Sequence, residues 1–213
     1  MAFPHRPILD NFVKNVDCLL TLKQGTRIYH DALEGKMAPL LDTLSIHTYT
    51  GLLQKLFGFY KPLEERIAAL PGWHNLPVDL GRRQKAPLLA RDLLWLKVTQ
   101  PQLSQLPRCE RLPEIESITE ALGCLYVLEG ATLGGQIIGR HLKKNLVLDE
   151  GRGCSFFCSY GDEVGLMWKS FRETLSSHCS EHGSSEEEQL VKSACETFVS
   201  LDYWLFEGGV QSD

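Results

Sequence analysis

The sequence lacks the short motifs that mark several common classes of enzyme. Its 213 residues contain no Cys-x-x-Cys pair, no Glu-x-x-His and no Gly-x-x-x-x-Gly-Lys. Cysteine zinc sites, di-iron carboxylate bundles and P-loop nucleotide sites use these spacings, because each must bring its ligand groups to one side of a helix or loop. The sequence therefore argues against these three classes.

Disulfide, nucleic-acid and membrane signatures are also missing. The seven cysteines are odd in number and scattered, so we expect reduced thiols rather than a disulfide framework. A net charge of −5 without a run of Lys and Arg argues against nucleic acid as a partner. No apolar run approaches the roughly 20 residues of a membrane span, and the first residues lack the core of a signal peptide. We expect a soluble, cytoplasmic protein.

Proline is absent after Pro113, and strand signals are weak throughout. The second half can therefore form long helices, while the first half is more punctuated. Apolar periodicity predicts an all-α single domain over residues 1–213, with a core of about 10–206 and roughly seven helices. Helices are predicted over 8–37, with a candidate break at Gly25, over 41–69 after Pro39, and over 88–98. Another begins at about 114 and ends at the glycines of 150–153. The last two run to 178, with Asp162 as a candidate cap at the start, and over 185–206. The segments 70–77 and 101–113 are predicted connectors.

The segment 121–142 is helical in its apolar spacing yet contains five glycines. Each glycine inside a helix costs roughly 0.5–1 kcal/mol relative to alanine. Gly123, Gly130 and Gly134 share one face, and the adjacent Gly134 and Gly135 permit a kink. Two interpretations remain open at this point: close packing against another helix, or a bare face on which a flat ligand lies against the backbone.

A flat cofactor needs a group opposite this helix, and His30 has the best surroundings among the histidines. Glu34 follows one turn later, where its carboxylate can accept the second ring N–H and fix the tautomer. Lys23 lies nearly on the same face and can meet an acidic edge of a ligand. On spacing alone, an ordinary histidine is the better interpretation of His30 than a metal ligand.

Four segments together resemble the heme oxygenase family, particularly the bacterial biliverdin-forming members associated with phytochromes. They are Leu22-Lys-x-x-Thr26-x-x-x-His30-x-x-Leu-Glu34, Leu125-Tyr-Val-Leu-Glu-Gly-Ala-Thr-Leu-Gly-Gly-Gln136, Phe156-Phe-x-x-Tyr-Gly161 and Trp168-x-x-Phe171. The resemblance spans roughly residues 10 to 205, and the glycine segment is its most specific part.

The resemblance implies a helical fold that holds heme between a proximal helix bearing His30 and a kinked distal helix containing Gly130, Gly134 and Gly135. Heme is then both cofactor and substrate, with its iron ligated by His30. The implied reaction uses O₂ and electrons to open the ring to biliverdin, CO and ferrous iron. A ferredoxin or a flavin reductase is the implied electron donor, and a phytochrome is a candidate acceptor of biliverdin.

The same resemblance assigns the remaining site residues. Lys23 matches a lysine that binds a heme propionate, while Lys169 and Arg172 lie in the region that supplies the other cations. Many family members have an aspartate directly after the first distal glycine, where it anchors water beside the bound O₂. This chain has Ala131 there, so the water must be held by other groups, such as the backbone or Thr132.

Two rival functions are compatible with this pattern. A heme-binding or heme-carrying protein would keep the pocket without opening the ring, and its heme band would persist with reductant. A thiaminase-like hydrolase has a similar bundle but uses a cysteine with a carboxylate, for which Cys124 on the glycine helix is the candidate.

Overall fold

The computed structural model describes residues 17–208, and these residues are helical with no β-strand among them. The eight α-helices of the described part are α1 (Cys18–Asp42), α2 (Ile46–Ala69), α3 (Leu80–Arg83), α4 (Ala86–Trp95), α5 (Gln100–Gln105), α6 (Ile118–Leu146), α7 (Val164–His182) and α8 (Ser184–Phe206). Two short 3₁₀ helices cover Trp73–Asn75 and Gly161–Glu163. The all-α prediction is confirmed, while the predicted start of the first helix at residue 8 lies outside the described residues.

N-terminal caps explain where α1 and α6 begin. Asp17 accepts a hydrogen bond from the N–H of Leu19 at the start of α1. Ser117 and Glu120 form a reciprocal capping box at the start of α6. Such caps satisfy backbone N–H groups that have no partner inside the helix.

Two predicted interruptions near the N-terminus are absent. α1 continues through Gly25. A Cβ there would lie 2.7 Å from Cγ1 of Val191, so the missing side chain lets α8 approach rather than breaking the helix. Pro39 lies inside the last turn of α1, where little of the helix remains to be disturbed by the missing N–H. The predicted break and boundary are both wrong.

Three later boundaries also differ from the prediction. The first residues of the predicted connector 101–113 belong to α5 (Gln100–Gln105). A capping box between Thr99 and Gln102 starts this helix. α6 ends at Leu146, because Val147 adopts a left-handed conformation with φ 57°. Asp162 lies within a 3₁₀ turn, and Glu163 precedes α7 without a side-chain cap bond.

The core is built around α6. This helix packs against α8 and α7, α8 in turn packs against α1, and α2 packs against α4. α6 is also the one helix of the described part that is long and apolar enough to cross a bilayer, contrary to our reading of the apolar runs. Over half of that apolar window is buried inside the protein, which is typical of the central helix of a folded core.

One pair of cysteines corrects the expectation of seven reduced thiols. Cys18 at the start of α1 and Cys179 near the end of α7 form a disulfide. They are separated by 161 residues in the sequence, so only the packing of α1 against α7 brings them together. The free cysteines among the described residues are Cys109, Cys124, Cys154, Cys158 and Cys195.

Candidate functional site

One face of α6 is open and carries two glycines among its apolar residues. Gly130, Leu133, Gly134 and Ile137 lie on one side of the helix by their spacing. A Cβ placed on Gly134 would meet no atom of the described chain within 4 Å, and one on Gly130 would first meet Cη2 of Trp168 at 3.8 Å. Leu133 and Ile137 are 40% and 65% exposed. The face therefore offers apolar surface, with room at two glycines, to a flat ligand.

The other glycines of α6 serve close packing. A Cβ on Gly123 would lie 2.4 Å from the carbonyl oxygen of Leu190 on α8. A Cβ on Gly135 would lie 3.0 Å from the carbonyl oxygen of Phe157. A Cβ on Gly139 would lie 3.1 Å from Sγ of Cys158 in the same segment. Close packing is thus confirmed at these glycines, while Gly134 leaves the open space that the ligand interpretation requires. Gly135 is buried against the segment that follows α6 instead of sharing the open face.

His30 lies on the exposed surface of α1, and its side chain is 59% exposed. Its Nδ1 is 3.4 Å from Oδ1 of Asp31 and 3.8 Å from Oε2 of Glu34. The edge of the ring packs on Phe198 of α8, with 6.1 Å between ring centroids. Among residues 17–208, no polar group contacts Nε2. Two carboxylates beside Nδ1 favour a proton on that nitrogen, which leaves the Nε2 lone pair available to a metal.

Arg172 is an exposed residue of α7 whose charge acts on Tyr126 of α6. Burial raises the pKa of Tyr126 on α6, and the nearby Thr26 hydroxyl of α1 and the Arg172 guanidinium oppose that rise. The ring of Tyr126 also packs on Trp168, with 5.7 Å between centroids. Thr26 is one turn before His30 on α1, so the charge of Arg172 acts on Tyr126 close to the part of α1 that carries the histidine.

The two lysines predicted to bind propionates are more loosely held. Lys23 is exposed on α1. Nζ of Lys169 is 3.9 Å from Oε1 of Glu173, and the two side chains are 74% and 67% exposed. An exposed pair of this kind contributes about 0–1 kcal/mol, so Lys169 can turn toward an anionic ligand at little cost.

A buried ionic cluster lies behind Gly130, and sequence analysis did not find it. Glu129 is 1% exposed and accepts hydrogen bonds from Nζ of Lys85 (2.9 Å) and the hydroxyl of Tyr160 (2.7 Å). Nη1 of Arg83 also contacts its carboxylate. Lys85 and Arg83 are themselves 1% and 4% exposed at their side chains. Arg83 and Glu129 are 46 residues apart, so spacing does not reveal the pair; the one sequence signal is a single acid within the apolar segment 121–142.

The buried charges of this cluster compensate one another. Burial lowers the pKa of Lys85, and the neighbouring Glu129 carboxylate opposes the change. Burial raises the pKa of Tyr160, and Glu129 raises it further. Glu64 lies close by, and its raised pKa also follows from burial, opposed by the backbone N–H groups of Lys85 and Ala86 that it accepts. Removing one buried charge from such a set leaves another uncompensated.

The segment after α6 is anchored by a second buried acid. Asp92 is fully buried and accepts the N–H groups of Ser155 and Phe156, each at 2.8 Å. The hydroxyl of Tyr49 donates to the carbonyl of Gly153 at 2.8 Å. These bonds hold in place the backbone on which Gly135 packs.

Comparison with known proteins identifies the family. The model of the family described as heme oxygenase matches residues 17–207. The chain belongs to the heme oxygenase family of enzymes. A heme oxygenase from Xanthomonas campestris pathovar campestris is 30% identical over 135 residues, which cover 60% of this chain and 72% of that protein. Heme is the ligand of this family.

Solved structures show the same fold. The heme oxygenase of Leptospira interrogans superposes with a TM-score of 0.71 at 20% identity, covering 90% of this chain and all of the other. The NO- and CO-bound enzyme of Neisseria meningitidis gives 0.69 at 21% identity, with 90% and 92% covered. The heme complex of the Synechocystis heme oxygenase-1 gives 0.67 at 17% identity, with the same coverage.

The residues of this chain fit a heme. The open face of α6 supplies an apolar surface with room at its glycines, and His30 on α1 presents an Nε2 that no polar group of the described residues contacts. Thr132, considered above as a holder of water, is buried and donates its hydroxyl to the carbonyl of Glu129 at 2.6 Å. Its hydroxyl is thus committed to its own helix.

Proposed function

We propose that this protein binds heme between α1 and the open face of α6 and opens it, with O₂ and electrons, to biliverdin, CO and ferrous iron. The observation that carries the proposal is the space at Gly134, where a Cβ would meet no atom of the described residues within 4 Å. Family membership supports heme as the substrate. When bound, heme supplies both the iron that activates O₂ and the ring that is opened.

The side chains of this chain bind and orient that substrate. His30 ligates the iron through Nε2, while Asp31 and Glu34 hold the proton on Nδ1. Arg172, Lys23 and Lys169 meet the propionates, and of these Arg172 is the one whose charge acts on Tyr126 of α6. Gly130 and Gly134 keep side chains away from the distal side of the iron and leave room there for O₂.

Protons reach the site through water, and electrons come from a partner protein. Ala131 carries no carboxylate, and the Thr132 hydroxyl already donates to a carbonyl of its own helix. Backbone groups of α6 therefore hold the water that delivers protons. We assign the protein to the phytochrome-associated type, on the glycine motif and Ala131, with a ferredoxin or flavin reductase as its electron donor in the cytoplasm.

Titration with hemin tests this function directly. Purified protein is mixed with hemin until the absorption band saturates, and a reductant is then supplied in air. Ring opening predicts that the heme band disappears and that the biliverdin band grows. A heme carrier would keep its heme band throughout, and that result would overturn the proposal.

A further inference from the structure

We propose that Glu129 is a positioning residue that fixes the gap between the glycine face of α6 and the wall that α7 forms beside it. The inference rests on the proposed function and concerns the ionic cluster of Arg83, Lys85, Glu129 and Tyr160, which we name the buried charge cluster.

The residues of the buried charge cluster contact the helices on both sides of that gap. On the α6 side, Glu129 directly precedes Gly130. On the α7 side, Arg83 donates from Nη1 and Nη2 to the carbonyl of Met167, each at 3.3 Å. The next residue is Trp168, whose Cη2 lies 3.8 Å from a Cβ placed on Gly130. One guanidinium therefore ties the helix that bears Gly130 to the helix that faces it.

The backbone before α7 carries strain that the cluster holds in place. Tyr160 has φ 68°, a left-handed conformation that a bulky side chain rarely adopts. Its hydroxyl donates to Glu129 and accepts from Lys85 at 2.8 Å. This turn leads directly into α7, so the two hydrogen bonds set where that helix begins.

Glu129 does not act on the ligand itself. It is 1% exposed, and on a helix it points well away from the side that carries Gly134. Its effect reaches the substrate only through the placement of Gly130 and Trp168. A change at Glu129 should therefore alter how heme sits in the pocket more than whether heme binds.

The test compares Glu129→Gln with variants that separate charge from shape. Glutamine keeps the length of the side chain but leaves the buried cations with less compensation. The double variant Glu129→Gln with Lys85→Met removes one cation and restores the balance. Tyr160→Phe removes the two hydrogen bonds of the hydroxyl, to Glu129 and from Lys85, without removing a charged group, and serves if Glu129→Gln does not fold. Glu120→Gln, the same change in the first turn of α6, is the matched control.

The first readout needs no heme. Amide hydrogen exchange is measured on the heme-free proteins, and we expect Glu129→Gln to exchange about tenfold faster or more around Gly130 and at the start of α7. Tyr160→Phe should show a smaller increase in the same segments, and the double variant should return toward wild type. The control should change only the first turn of α6.

The second readout is the ratio of biliverdin isomers formed from bound heme. We expect Glu129→Gln to bind hemin and shift this ratio, and the double variant to reverse the shift. Unchanged exchange and isomers in Glu129→Gln or Tyr160→Phe would overturn the inference, as would equal effects in Glu120→Gln or no recovery in the double variant. If the wild type fails to consume heme, the proposed function fails, while the heme-free exchange still decides whether the cluster positions α6 and α7.

Discussion

At the scale of single residues, His30 is distinguished by the asymmetry of its surroundings. Asp31 and Glu34 both approach Nδ1, while no polar group among the described residues contacts Nε2. A neutral imidazole with its proton held on one nitrogen is the form that binds iron through the other. The exposure of the ring leaves that nitrogen accessible.

Replacing His30 by alanine should remove the residue that would ligate the iron, and with it most of the turnover. Apolar contact with the α6 face should still hold some heme, so binding weakens without disappearing. The ferric absorption spectrum and the rate of biliverdin formation measure both effects. If spectrum and turnover are unchanged, another group ligates the iron.

Lys23 should act as an anchor that sets the orientation of the ring. An exposed ion pair is usually worth about 0–1 kcal/mol, so Lys23→Ala should weaken heme binding only modestly. Loss of the anchor should let the heme rotate in its plane and change the ratio of biliverdin isomers, read by chromatography. Strongly reduced affinity with the same isomers would contradict this role.

At the scale of elements, α6 combines two uses of glycine along one helix. Gly123 admits the backbone of α8, Gly135 admits the segment after α6, and Gly134 faces open space. The helix therefore packs closely on its buried sides and leaves room at Gly134 on its open side.

These two uses predict opposite changes in stability. Gly123→Ala places a Cβ 2.4 Å from the Leu190 carbonyl oxygen, an overpacking that costs about 1–3 kcal/mol and lowers Tm by roughly 2–4 °C per kcal/mol. Gly134→Ala relieves a helix of one glycine, worth roughly 0.5–1 kcal/mol, and should leave Tm equal or slightly higher. Thermal unfolding of the heme-free variants distinguishes the two, and a lowered Tm for Gly134→Ala would place that residue in a helix contact.

Sequence patterns predicted most helices because each depends on local spacing. The apolar periodicity of residues 121–142 and the acids at Glu186 and Glu187 mark elements that the structure contains. Gly25 and Pro39 were misread because their effect depends on a neighbouring helix or on distance from the helix end. The buried charge cluster and the disulfide join residues far apart in sequence, and only the packing of helices shows them.

At the scale of the whole molecule, a buried histidine links stability to pH where α6, α7 and α8 join. Nε2 of His178 lies 2.7 Å from the hydroxyl of Thr119, which also contacts Glu186. Its Nδ1 is buried with no partner among the described residues. Burial lowers the pKa of His178, as does His182, while Glu186 and Glu181 oppose the change.

Because the folded state holds His178 neutral, the unfolded state takes up its proton more readily. Stability from this group is complete above the ordinary histidine pKa of about 6.5 and declines as pH falls below it. We expect the urea midpoint to drop between about pH 7.5 and 5.5, and His178→Gln to reduce that drop. His47→Gln, an exposed histidine on α2, is the control. An equal drop in both variants would refute the assignment.

The release of CO from bound heme tests the central claim most directly. Wild type and Gly134→Leu are each loaded with hemin, given reductant in air, and assayed for CO against heme consumed. We predict about one CO for each heme in the wild type, and retained ferric heme with little CO in Gly134→Leu, because the leucine fills the space on the distal side. If Gly134→Leu releases CO as fast as the wild type, the reaction does not take place at the open face of α6.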